Sequence, residues 1–115
     1  MVVSMLAVAC ITINSRHPWA LAEFWADLVG GITPRDSGND FVLLDPEDGH
    51  IPLLFQKSDQ PNQQPGWVHL DCSAPDREAA VDETVRLSGR IIAHRSDSHG
   101  AWVVLTDPEG NPFCV

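Results

Sequence analysis

Positive charge is scarce in this chain. Seven Lys and Arg stand against 16 Asp and Glu in 115 residues, a formal charge of -9. No basic stripe gathers the few cations, so a phosphate backbone is repelled and nucleic acid is not an expected partner. Long hydrophobic runs are missing too. The stretch from Met5 to Ile13 falls far short of the roughly 20 residues that span a bilayer, and no basic segment with a small-residue cleavage site follows Met1. These absences predict a soluble, cytoplasmic protein without a membrane partner. Cysteine is sparse and odd in number: Cys10, Cys72 and Cys114 lie far apart, none in a Cys-x-x-Cys pattern. A reducing compartment and no disulfide framework follow.

What is present is a repeat. The chain ends on "WVVLTDPEGNPFCV", and some sixty residues earlier stands "FVLLDPEDGHIPLLF". In Asp107-Pro108-Glu109-Gly110, Pro presets φ at the second place of a type I turn, Asp bonds nearby backbone at the first, and Gly fits the fourth. The phrase predicts a hairpin between Ala101–Thr106 and Pro112–Val115, and its acids are structural. The earlier phrase predicts a second hairpin, between Phe41–Leu44 and Pro52–Gln56, with the turn lengthened.

The duplication reaches further back. "LAVACITINSRHPWALAEFWADLVGG" and "GWVHLDCSAPDREAAVDETVRLSG" each run strand, proline, helix-period segment, glycine. A constant offset of 59 residues pairs Leu28 with Leu87, Gly30 with Gly89, Cys10 with His69 and Thr12 with Asp71. Leu21, Phe24, Trp25 and Leu28 form the apolar stripe of the first helix; Val81 and Val85 form a weaker one in the second. Both helices are expected to stop on a left-handed glycine. His17, just before Pro18, is placed to cap the first helix. Each module therefore reads strand, helix, three strands, with the second strand of the first half expected near Ile32 to Arg35. The hydrophobic content of 43% suits one domain, residues 1–115, made of module one (1–57), a Pro- and Gln-rich linker (58–66) and module two (67–115).

Period-two alternation puts Trp67, His69 and Asp71 on one face of their strand, and Val68, Leu70 and Cys72 on a helix-covered face. The matching strand of module one divides the same way, with Cys10, Thr12 and Asn14 on the polar side. Adding Gln56, Trp102, Val104, Thr106 and Cys114 gives a wall of a few polar groups among apolar ones, the composition of a small-molecule pocket. His69 is the candidate catalytic residue, as base, ligand or donor; the plainer reading is a histidine hydrogen-bonded within the wall. Cys10 and Cys114 read as small hydrophobes rather than nucleophiles. Trp19 and Trp25 are assigned to the core or a subunit contact, and Trp102 to a stacking wall for a flat ligand. His50, His94 and His99 fall in turns or polar loops.

Two βαβββ modules carrying "LAEFWADLVGG", "PLLFQ", "WVHLD" and "WVVLTDPEGNPFCV" resemble the vicinal oxygen chelate superfamily, which includes glyoxalase I, extradiol dioxygenases and bleomycin resistance proteins. Within it the chain is most similar to the glyoxalase-like group. The resemblance implies an α+β fold whose tandem modules form a cup-shaped mixed sheet, often paired as a homodimer. It also implies metal ligands at four positions, which fall here on Cys10, Leu54, His69 and Cys114. Only His69 suits the hard-metal centre of the superfamily. The expectation is therefore a small organic ligand, aromatic or cationic, held in the cup by Cys10, Thr12, Gln56, Trp67, His69, Asp71, Trp102 and Cys114, with no cofactor. Zinc held by Cys10, His69 and Cys114 is the variant of that reading. The alternative is a metal-dependent lyase or isomerase of the glyoxalase type using His69.

Overall fold

A computed structural model describes residues 8, 10–30, 33–38, 40–45, 50–59, 70–98 and 100–115. The chain divides into two compact units, Met1–Pro61 and Asn62–Val115. In unit 1 the order is β1 (Ile11–Ser15), α1 (Pro18–Val29), β2 (Arg35–Gly38), β3 (Phe41–Leu44) and β4 (Leu53–Lys57). In unit 2 it is β5 (Leu70–Asp71), α2 (Arg77–Arg86), β6 (Arg90–Asp97), β7 (Gly100–Thr106) and β8 (Pro112–Cys114). The sheets have the same strand order, β1-β4-β3-β2 and β5-β8-β7-β6. In each, the first and last strands pair in parallel and the rest antiparallel. The repeat holds at single-residue register: Thr12 lies beside Leu54 as Asp71 lies beside Cys114. β2 and β6 each carry one irregularity, at different register positions: between Asp36 and Gly38 in β2, opposite the Val42–Phe41 step, and between Ile91 and Ala93 in β6, opposite the Leu105–Val104 step.

α1 forms because Pro18 occupies the first turn, where its missing N–H costs nothing, and because Leu21, Ala22, Phe24, Trp25 and Ala26 recur at helical spacing and bury against the sheet. Phe24 and Trp25 meet edge to face at 5.5 Å. Val42, Leu44, Leu53 and Phe55 supply the sheet side of that core. His17 stands at the cap position but gives no side-chain cap; its own N–H donates to the buried Ser15 hydroxyl at 3.0 Å. An imidazole has no short acceptor to reach the N2 and N3 amides, whereas the Asp76 carboxylate caps α2 by accepting from the Ala79 N–H at 3.1 Å.

α2 is mostly polar, and the residues it buries are Val81 and Thr84 rather than Val81 and Val85. Thr84 tolerates burial because its hydroxyl donates to the Ala80 carbonyl at 2.8 Å. After α2 the left-handed residue is Ser88, with φ of 78°, and not Gly89. Gly89 is needed for space: a Cβ there would lie 2.5 Å from Thr84 Cγ2 and 2.9 Å from the carbonyl oxygens of Thr84 and Thr106. The first helix does stop on a positive-φ glycine, Gly30. The second strand of unit 1 lies at Arg35–Gly38, at the far end of the expected span.

Candidate functional site

Alternation along each strand divides each sheet into two faces. In unit 2, Val103, Leu105 and Phe113 are buried toward the core, while Trp102, Val104, Thr106, Pro112 and Cys114 between them are half-buried. Register joins these into one wall, because Asp71 sits beside Cys114 and Cys114 beside Val104. The turn into β8 is held by Asp107, whose buried carboxylate accepts from the Glu109 and Asn111 backbone amides and from Asn111 Nδ2. At the end of this wall lies a cavity of about 700 Å³ lined by Asp71, Cys72, Ser73, Arg77, Trp102 and Cys114 among others. Of the expected ligand-binding residues, Asp71, Trp102 and Cys114 are thus gathered.

Unit 1 gathers the others that are described. Cys10 and Thr12 are neighbours, with Sγ and Oγ1 3.9 Å apart. Thr12 is beside Leu54 and Asn14 beside Gln56, so Cys10, Thr12, Leu54 and Gln56 share that sheet's outer face. Trp67 and His69, the candidate catalytic residue, lie outside the described residues, as does His99. His50 and His94 are exposed. Trp25 is buried in unit 1 and unavailable to a partner, whereas Trp19 is 46% exposed.

Cys72 departs from expectation. It lies past the end of β5, where its N–H donates to the Cys114 carbonyl at 2.7 Å, and it is exposed rather than helix-covered. Desolvation by surrounding protein pushes its thiol up, and the neighbouring Asp71 and Cys114 charges push it further. Desolvation and then Asp71 raise Cys114 as well. Both shifts favour the neutral thiol over the thiolate that a nucleophile requires.

Reading the sequence in strict alternation missed three cations. Arg77 lines the cavity, Arg95 sits directly across from Trp102, and Arg90 directly across from Thr106. The bulge at Ile92 brings Arg90 and Arg95 to one face, since residues five apart in an unbroken strand face opposite ways. A bulge has no reliable signature in one sequence, and the bulge in β2 falls at a different register position.

Of the four positions at which the superfamily resemblance implies ligands, Leu54 is a hydrocarbon side chain beside Thr12 and Leu43, and His69 lies outside the described residues. Among the described residues, no three His, Cys, Asp or Glu side chains assemble as a ligand set. No helix among them is long and apolar enough to cross a membrane.

A βαβββ unit repeated in strand order and register defines the class: α+β proteins built from tandem modules with two four-stranded mixed sheets. Residues 10–115 match the family of the glyoxalase-like domain, and the chain belongs to it. Solved structures with the same fold include a glyoxalase/bleomycin resistance protein/dioxygenase family enzyme from Burkholderia phytofirmans, 18% identical with a TM-score of 0.75 over 95% of this chain and 96% of that one. Another is a glyoxalase-related enzyme from Fulvimarina pelagi, 17% identical, TM-score 0.74, over 96% and 86%. A bleomycin resistance determinant encoded on transposon Tn5 is 19% identical, with a TM-score of 0.64 over 95% of both chains. The family match and this shared fold agree with the resemblance to the vicinal oxygen chelate superfamily. No curated protein matches it.

Proposed function

We propose that this protein binds a small organic molecule on the wall of its second unit, without the divalent metal of its superfamily. The observation that carries the reading is the cavity of about 700 Å³ beside Asp71, Trp102 and Cys114, within the range of roughly 300–1,000 Å³ that small-molecule sites occupy. An indole offers a flat apolar surface with one donor, and the carboxylate and thiols around it fix orientation. Binding needs no proton transfer and no Lewis acid, so the hydrocarbon of Leu54 does not impair it. Trp67 and His69 belong to the same reading as ligand contacts expected from the sequence, and the unit 1 face that carries Cys10, Thr12 and Gln56 is a candidate wall of its own. Pairing of two copies through the exposed Trp19 is also part of it, and sedimentation of Trp19→Ser against the parent chain tests that.

The central test is a thermal-shift screen of small organic compounds, run alongside elemental analysis of protein never exposed to chelator. Compounds that raise the melting temperature of the parent chain but not of Trp102→Ala support the reading, since a ligand at 100 times its Kd adds about 2.7 kcal/mol of stability. Near-stoichiometric zinc, manganese or iron that disappears in His69→Ala would replace it with a metal-dependent lyase or isomerase.

A further inference from the structure

The wall of unit 2 carries an unusual share of the chain's positive charge. Of the seven Lys and Arg, Arg35 pairs with Asp45, Arg86 with Glu83, and Lys57 donates to the Arg16 carbonyl. Arg77, Arg90 and Arg95 stand apart. Among the described residues none of these three has a hydrogen-bond or ion-pair partner, and all three belong to the cavity or to the sheet face beside it. Exposed guanidinium groups without partners have donors in hand for a bidentate acceptor.

Register decides where these charges act. Arg95 is directly opposite Trp102, so their Cβ atoms are about 4.5–5.5 Å apart on one face. Asp71, the carboxylate of the same wall, is three strands away from β6 in the order β5-β8-β7-β6. That is about 14 Å at the usual strand spacing, beyond the roughly 8 Å over which exposed charges act in physiological salt. Asp71 therefore does not neutralise Arg95, and Asp97, two residues along the same face of β6, makes no ion pair with it. Screening likewise weakens the pull of the chain's net charge at Trp102, where the charges that line the cavity are Asp71 and Arg77.

We propose that the ligand of this wall is an aromatic carboxylate, its ring against the Trp102 indole and its carboxylate held by Arg95, with Arg77 supplying positive charge from the cavity side. The proposal rests on the small-molecule reading above and specifies its ligand class, replacing the cation that composition alone favours. The bulge at Ile92 is the backbone device behind it. Were β6 regular from Arg90 to Arg95, one arginine of the two would be turned toward the core side occupied by Val103 and Leu105; with one residue absorbed, both face the wall.

Three probes that share a ring and differ in charge make the test: 2-naphthoate, 2-naphthamide and 2-naphthylmethylammonium, titrated calorimetrically into the full chain. We expect naphthoate to bind about tenfold tighter than the amide, and the advantage to shrink as NaCl rises from 50 to 500 mM. Arg95→Gln and Arg77→Gln should each remove a severalfold part of that advantage, while Arg35→Gln, in unit 1, should not alter it. Equal affinity for acid and amide overturns the proposal and leaves the small-molecule reading intact. Preference for the ammonium overturns it in favour of a cation site. Failure of all three probes overturns it too, and the small-molecule reading falls with it only if the wider thermal-shift screen is also empty.

Discussion

Asn111 holds Asp107 twice, through its backbone N–H at 3.0 Å and its side-chain Nδ2 at 2.8 Å. The Glu109 N–H donates a third bond to the same carboxylate, which is 2% exposed. An ionised group is tolerated there because backbone and amide dipoles replace its water.

Asp107→Ala leaves those donors unmet where water enters poorly, so it should destabilise the fold by about 2–4 kcal/mol. Asp107→Asn keeps one acceptor and should recover part of the loss. Urea denaturation of the three chains checks the order, and an alanine variant as stable as the parent would show that the hairpin closes without its acid.

The Ser88-Gly89 pair should respond in opposite directions. Gly89→Ala drives a methyl into Thr84 and two carbonyl oxygens, and a loss of about 1–3 kcal/mol is expected. Ser88→Gly relieves a left-handed serine at φ of 78° and should stabilise by about 0.5–1 kcal/mol. Melting temperatures of both single variants are the measurement.

Tryptophan substitutions should separate core from wall. Trp25, 3% exposed and edge-on to Phe24, should cost about 3–5 kcal/mol when cut to alanine. Trp102→Ala should cost about 1 kcal/mol yet abolish the ligand-induced rise in melting temperature. Equal stability losses at the two sites would mean that Trp102 is also core.

The thiols set a pH dependence on the alkaline side. Desolvation raises Cys72 above its ordinary value of about 9, as do Asp71 and Cys114, and desolvation with Asp71 raises Cys114. Below that value folded and unfolded chains both keep the proton and stability is level. Above it the unfolded chain releases protons first, so stability falls as pH rises through the folded-state values. Denaturation midpoints between pH 8 and 10.5 should decline in the parent chain and decline less in Cys72→Ser. Iodoacetamide at pH 8 should also label Cys72 more slowly in the folded than in the unfolded chain.

Much of this was legible in the sequence for a definite reason. The hairpin phrase, the 59-residue offset and the apolar stripe of α1 are local patterns with fixed periods, and the equivalence of Thr12 with Asp71 that they yield reappears in the structure, where Thr12 lies beside Leu54 and Asp71 beside Cys114. The wall residues Asp71, Trp102 and Cys114 follow from the same alternation. Arg90 and Arg95 do not, because a bulge resets the period in mid-strand without announcing itself in residue type. Thr84 took the inward place expected of Val85 because it can satisfy its hydroxyl one turn back, and Ser88 took the left-handed place because the space at Gly89 is needed for contact.

The repeated strand order has an evolutionary consequence. Two copies of one ancestral unit encoded by a single gene must change together, since any substitution appears in both halves of their pair. Joined in one polypeptide they are released from that symmetry. Leucine could settle at position 54 while its counterpart at 114 became cysteine, and threonine at position 12 while its counterpart at 71 became aspartate. Joined in one chain, each unit is free to change its wall without imposing the same change on the other.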